Sequence, residues 1–295
     1  MNAPSSPLSA QLKASATSAA IAEACRRAVR LEPEEAAQDP ALAEALIDLL
    51  AHPESVARRA ALEAIGLLAH RLVLEFPATV GARVRQRTSD GAAEVRAEAA
   101  VAMALLPLDD AEATARALAE LLADKDPIVR REAAAAMGDL GDPRAVERLE
   151  RALNDEDPEV RFELCFALAT LGSKAGFQDL LDALKGPRRL DACEALRRLK
   201  DPAAIEALKA TAKGFFVGWP ERLTLLAAAH QLGDAEAGPL LVTRIKSWIR
   251  EERALAIALV GSSGVTVGRE AVQAIADDPK NPLREVALEA LEKLR

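Results

Sequence analysis

From Arg58 onward, apolar and polar positions recur in blocks of roughly thirty residues. With Arg130 as the register mark, equivalent arginines stand at Arg58, Arg96, Arg161, Arg189, Arg222, Arg253 and Arg284, spaced 38, 34, 31, 28, 33, 31 and 31 residues apart. Three residues after each mark the chain carries Ala, except for Leu164 and Leu225. Seven after stand Ile65, Met103, Met137, Leu168, Leu196, Ala229, Val260 and Leu291. Ten after stand Leu68, Leu106, Leu140, Leu171, Leu199, Leu232, Ser263 and Leu294. Offsets of three, seven and ten share one face of a helix, so each block predicts a helix with a buried stripe. The first helix of each pair precedes it, with its own stripe, for example at Ala145, Val146, Leu149, Ala152 and Leu153. Neither stripe can be buried alone, so neighbouring pairs must stack.

Turn chemistry punctuates the blocks. At Gly141-Asp142-Pro143 the glycine ends one helix, the aspartate caps the next and the proline takes its first position. Asp201-Pro202 repeats that start, and Asp126-Pro127 and Asp157-Pro158 open the second helices. Toward the ends Pro107 replaces the expected glycine, and Gly261-Ser262-Ser263-Gly264 reads as a flexible loop in place of a compact turn.

The segments Asp126-Pro127-Ile128-Val129-Arg130 and Asp157-Pro158-Glu159-Val160-Arg161, with Gly141-Asp142-Pro143-Arg144-Ala145-Val146 between them, resemble HEAT repeats. They are similar to the short subclass found in phycocyanobilin lyase subunits. The resemblance implies an all-α fold, a right-handed α-solenoid of about eight helix pairs. Residues 1–16 read as a disordered leader, residues 17–295 as a single solenoid, and residues 10–30 as an extra capping helix. In HEAT-like repeats the register Arg and the capping Asp form a structural ladder between turns.

Composition agrees with helices. Ala and Leu together supply 108 of 295 residues, while aromatic residues make up 3 %. The formal net charge of −8 disfavours nucleic acid and anionic membranes, and no apolar run is long enough to span a bilayer. With no basic, apolar leader, a cytoplasmic protein is expected. Cys25, Cys165 and Cys193 each lie in an apolar helical pattern and read as buried thiols. His52, His70 and His230 are followed by Pro53, Arg71 and Gln231, so the His-Glu dipeptides of the HEAT-like di-iron hydroxylase are missing. No catalytic residue, metal ligand or cofactor is assigned.

In the repeat class that the chain resembles, offsets one, two, five and nine after the Arg project into a concave groove. Glu98, Glu132, Glu163 and Asp191 occupy offset two in four successive blocks, an acidic stripe with Glu194 beside it and Arg131 partly offsetting it. Phe162 and Phe166 occupy offsets one and five, where the core does not demand them. Phe215, Phe216 and Trp219 are expected to fill the gap at a longer loop. The expectation is a non-catalytic scaffold or adaptor that binds a partner protein, through a basic or helical segment, in this groove. The alternative, implied by the resemblance, is a bilin lyase or its chaperone-like subunit.

Overall fold

The computed structural model describes residues 6–107 and 110–294. Among them are nineteen α-helices and no strand. The chain forms two compact units, Met1–Ala167 and Leu168–Arg295. The first holds α1 (Leu8–Ala14), α2 (Ser18–Ala28), α3 (Pro33–Ala36), α4 (Leu42–Asp48), α5 (Ser55–His70), α6 (Val80–Arg85), α7 (Ala93–Leu105), α8 (Ala111–Leu121), α9 (Pro127–Asp139) and α10 (Val146–Ala152). Helix α11 (Pro158–Thr170) runs across the division. The second unit continues with α12 (Phe177–Ala183), α13 (Arg189–Leu199), α14 (Ile205–Ala212), α15 (Trp219–Gln231), α16 (Ala237–Arg244), α17 (Arg250–Ser262), α18 (Arg269–Ala276) and α19 (Arg284–Lys293). Every register arginine lies on an odd-numbered helix from α5 to α19, the second helix of its pair.

The buried stripe follows the sequence pattern closely. All eight residues at offset three are buried, as are all at offset seven except the half-buried Leu291. Offset ten is looser: Leu140, Leu171, Leu199 and Ser263 are only half-buried, because the helix is ending there. The next residue turns the chain through the left-handed region in five successive blocks, at Gly141, Gly172, Lys200, Gly233 and Gly264. Gly264 therefore keeps the regular turn, and the flexible loop expected around it is not found. Gly261 belongs to α17, where a Cβ would stand 2.6 Å from the Ala290 Cα of α19. It lets two helices approach closely.

The arginine ladder is present, but its partner is a different aspartate from the one expected. Arg96 grips Asp124 through Nε and Nη2 at 2.6 and 2.7 Å, and Arg130 grips Asp155 in the same way at 2.6 and 2.8 Å. Arg58 holds Asp90 with two bonds of 2.7 Å. Each arginine also donates to the carbonyl six residues before itself: His52, Asp90 and Asp124 in turn, then Asp155 for Arg161. The caps Asp126 and Asp157 instead accept from Ile128 N and Glu159 N. The first-turn amides lie nearest the capping carboxylate and capture it, leaving the aspartate two residues earlier to reach back to the second helix of the preceding pair. At that ladder position the later blocks carry Ala183, Phe216, Ser247 and Asp278.

Asp157→Ala removes a cap that serves both Glu159 N and Val160 N. A loss of about 1 kcal/mol is expected from the denaturation midpoint. An unchanged midpoint would show that the bond contributes nothing.

The N-terminal segment differs from the expected leader. Residues 1–5 lie outside the described residues, but Leu8–Ala14 is helical. Ser9 is buried, its backbone N–H and hydroxyl both donating to Asp39 at 2.8 and 2.5 Å. Apolar Leu8 and Leu12 bury there as well, which fixes the segment. The single capping helix read over residues 10–30 is two helices, α1 and α2, parted at Ser15–Thr17, where the Thr17 hydroxyl caps α2.

Candidate functional site

In the first unit the second helices α5, α7, α9 and α11 carry the acidic row. Glu98 on α7 is half-buried and lies 3.4 Å from Arg59 on α5. Burial raises the Glu98 carboxyl above the usual carboxylate range, and the nearby charges of Glu63 and Glu132 push the same way against Arg59. On α9, Arg131 turns along its own helix to Glu132 at 2.6 Å and also feels the charges of Glu163 and Glu159 on α11. Glu98, Arg131, Glu132 and Glu163 are thus electrostatically linked. Close approach of α9 and α11 makes this possible, since a Cβ on Gly138 would stand 2.9 Å from Ala167.

Phe162 and Phe166 stand one turn apart on α11, with ring centroids 6.5 Å apart. The sequence pattern expects exposed rings; both are half-buried, because they pack partly on each other. The equivalent positions hold Arg131 and Ala135 on α9, and Ala97 and Val101 on α7. The helix pairs stack without an aromatic there.

Asp191 and Glu194 belong to the second unit and are engaged locally. Asp191 meets Arg188 at 3.0 Å. Glu194 accepts from Arg197 and Arg198 at 2.6 and 2.9 Å, and these bonds, Arg197 foremost, hold its carboxyl below the usual range. A cleft of about 350 Å³ opens beside it, lined by Leu190, Glu194, Arg197, Thr224 and Gln231 among others. Leu190, Thr224 and Gln231 occupy offsets one, two and nine, so the register that selected Asp191 also marks them. A search for carboxylates and rings alone passes over them.

Other surfaces hold less chemistry. A cleft of about 590 Å³ in the first unit is lined by Leu72, Leu74, Glu75, Phe76 and Pro77 among others. All three cysteines are buried, and burial pushes the Cys25 and Cys193 thiols up to about 12, far from a reactive thiolate. Among the described residues no group of three or more His, Cys, Asp or Glu is placed to hold a metal. The expectation that Phe215 and Phe216 fill a gap is overturned: each is 91 % exposed. Trp219 alone of the three packs, half-buried, against the core.

A family model described as HEAT repeats matches residues 81–157 and 146–214. Residues 81–214 carry HEAT repeats. The chain's all-α solenoid class agrees with the E. coli protein YibA, at 18 % identity and a TM-score of 0.53 over 92 % of this chain and 94 % of that one. An engineered protein aligns at 22 % identity with a TM-score of 0.47, over 97 % of this chain and 88 % of the other. The complex of CpcE and CpcF of phycocyanin lyase from Nostoc sp. PCC7120 aligns at 21 % identity with a TM-score of 0.45, over 89 % and 87 %. No curated protein sequence matches the chain. HEAT repeats generally mediate protein–protein interaction, and no described helix is long and apolar enough to cross a membrane.

The half-buried like-charge row has a measurable consequence. Because the folded-state pKa of Glu98 is raised, its ionisation destabilises the fold as pH rises through that value. Glu98→Gln should therefore raise the denaturation midpoint at neutral pH, and the difference should close as the pH falls and Glu98 takes up a proton. A lowered midpoint would show that the pairing with Arg59 outweighs burial.

Proposed function

We propose that this chain is a non-catalytic protein-binding scaffold that grips a cationic segment of a partner through its second-helix face. The observation that carries the reading is the Phe162–Phe166 pair on α11 beside the linked row of Glu98, Glu132 and Glu163. Rings at positions where the neighbouring repeats carry Ala, Val or Arg serve better as apolar anchors than as packing. A row of acids held half-buried against mutual repulsion gains when a partner's Lys or Arg reaches it. Natural binding surfaces commonly retain such locally unfavourable charge.

The test is affinity capture from the native cell extract with wild type, Phe166→Ala and Glu163→Lys, each checked for an unchanged helical circular dichroism spectrum. A partner held by wild type should bind Phe166→Ala at least about fivefold more weakly. Glu163→Lys should slow association and flatten its salt dependence. Equal binding by all three proteins would move the interface off this face.

A further inference from the structure

The second unit displays three aromatic side chains almost entirely to solvent: Phe215, Phe216 and Trp248, each 91 % exposed. Burying a ring is among the larger stabilising moves open to a side chain, so rings this exposed contribute little to the fold. Phe215 and Phe216 meet edge to face at 5.1 Å and form one knob on the connection from α14 to α15. Trp248 tops the connection from α16 to α17, the same step of the next helix pair. Helix α15 packs against both α16 and α17. Gln231 at the C-terminal end of α15 donates to the carbonyl of Ser262 at the C-terminal end of α17 at 3.3 Å, so the two packed helices run side by side with their N-termini at one end. Packed helices lie 8–10 Å apart, which puts the two loops on one edge about 10 Å from each other.

Both loops are anchored from beneath. Arg222 donates to the Gly214 and Val217 carbonyls at 3.3 and 3.2 Å, and Val217 itself is buried. On the second loop the Ser247 hydroxyl accepts from Ile249 N at 3.2 Å and donates to the buried Glu252 at 2.6 Å. The backbone is fixed while the rings project. Lys213, Lys246 and Arg250 flank them, and none of these three takes part in an ion pair among the described residues. Glu251 is an exposed acid beside them, and the next connection, from α18 to α19, carries the exposed Asp277 and Asp278. At the corresponding place the first unit has Asp124-Lys125-Asp126 and Asp155-Glu156-Asp157.

We propose that the Phe215–Phe216 and Trp248 loops form a peripheral membrane contact that inserts its rings into the interfacial region of an anionic bilayer. A convex knob needs a matching pocket on a folded partner, whereas a bilayer interface accepts a ring wherever it lands. Unpaired cations at the root of the rings then sit at headgroup level, where each lysine or arginine gains from anionic lipid. With a formal net charge of −8, the remainder of the chain is not drawn to such a surface, so the cationic loops set the orientation. The sequence expectation of no membrane rested on the missing spanning run and the net charge. A contact of this kind needs no span, and its charge is local.

Co-sedimentation of the full chain with phosphatidylcholine vesicles, with and without phosphatidylserine, tests the proposal. Wild type should pellet with the phosphatidylserine vesicles, and its tryptophan emission should shift to the blue. Trp248→Phe should abolish the shift, leaving only the half-buried Trp219. Lys213→Glu and Lys246→Glu should each weaken binding at least about fivefold, the value of one cation at such a surface. Phe215→Ser combined with Phe216→Ser should weaken it about tenfold or more. These side chains are on the surface, so the variants should fold as wild type. Absence of pelleting by wild type, or equal pelleting by the ring and charge variants, overturns the proposal. So does a dimer in light scattering that Phe216→Ser disperses, which would make a second copy the occupant.

Discussion

Replacing Asp155 with alanine is expected to cost about 3–5 kcal/mol, read from urea denaturation. Asp155 does two jobs. It takes both arms of the Arg130 guanidinium, and it accepts a bond from Asp157 N at 2.9 Å. The side chains of the pair are 11 % and 10 % exposed, so water cannot replace the lost carboxylate. The guanidinium would keep its bond to the Asp124 carbonyl and lose its counter-charge. Asp157, two residues on and in the same loop, caps a helix start in a wetter place, and its loss is expected to cost only about a quarter as much. Equal costs for the two variants would show that the ladder does not stabilise the stack. Changing Arg130 and Asp155 together to apolar residues of similar volume should recover most of the loss, because no buried charge is then stranded.

The same pairs set the acid limb of stability. Arg130 beside Asp155, and Arg96 beside Asp124, hold those carboxyls below the ordinary aspartate value of 3.8. Asp90 is also lowered: burial opposes this, but the bonds from Arg58 and from the Ala92 N–H outweigh it. A depressed folded-state pKa contributes stability that is complete above the unfolded value and lost as pH falls through the folded one. Wild type should therefore lose stability steeply as the pH drops below about 4. Asp155→Ala should show a shallower slope there, having one linked carboxylate fewer.

The helix pairs, their register and their buried stripes are legible in the sequence because burial at offsets three and seven is a matter of helical periodicity. The partner of each ladder arginine is not legible in the same way. Asp124 and Asp126 share one loop and one charge, and only the backbone decides that the later one faces the helix amides. The acidic stripe is legible as a row of residues but not as a set of bonds. Glu132 is held by its own neighbour Arg131, and Glu194 by Arg197 and Arg198, all along a single helix where long side chains reach easily. The exposed rings escaped for another reason. Apolar residues in a long loop are normally read as filling it, yet at Val217 the loop buries one side chain and turns Phe215 and Phe216 outward.

Leu164→Ala is the sharpest test of the packing itself. At offset three, six of the eight blocks carry Ala, so the substitution gives α11 the residue that most of the repeats use. By pattern alone it should be harmless. The structure argues the opposite. Leu164 is fully buried, and close-packed surroundings shaped by a leucine cannot collapse onto a methyl group without moving helices. The lost transfer energy and the cavity together should cost about 2–5 kcal/mol. Leu171, at offset ten of the same helix pair, carries the same side chain but is half-buried where α11 has already ended. Leu171→Ala should cost clearly less, since the vacated space opens to water. The order of the two midpoints is the decisive measurement. If Leu171→Ala proves the more damaging, the tight packing assigned to Leu164 is wrong, and the face the two leucines share is filled most closely where α11 ends.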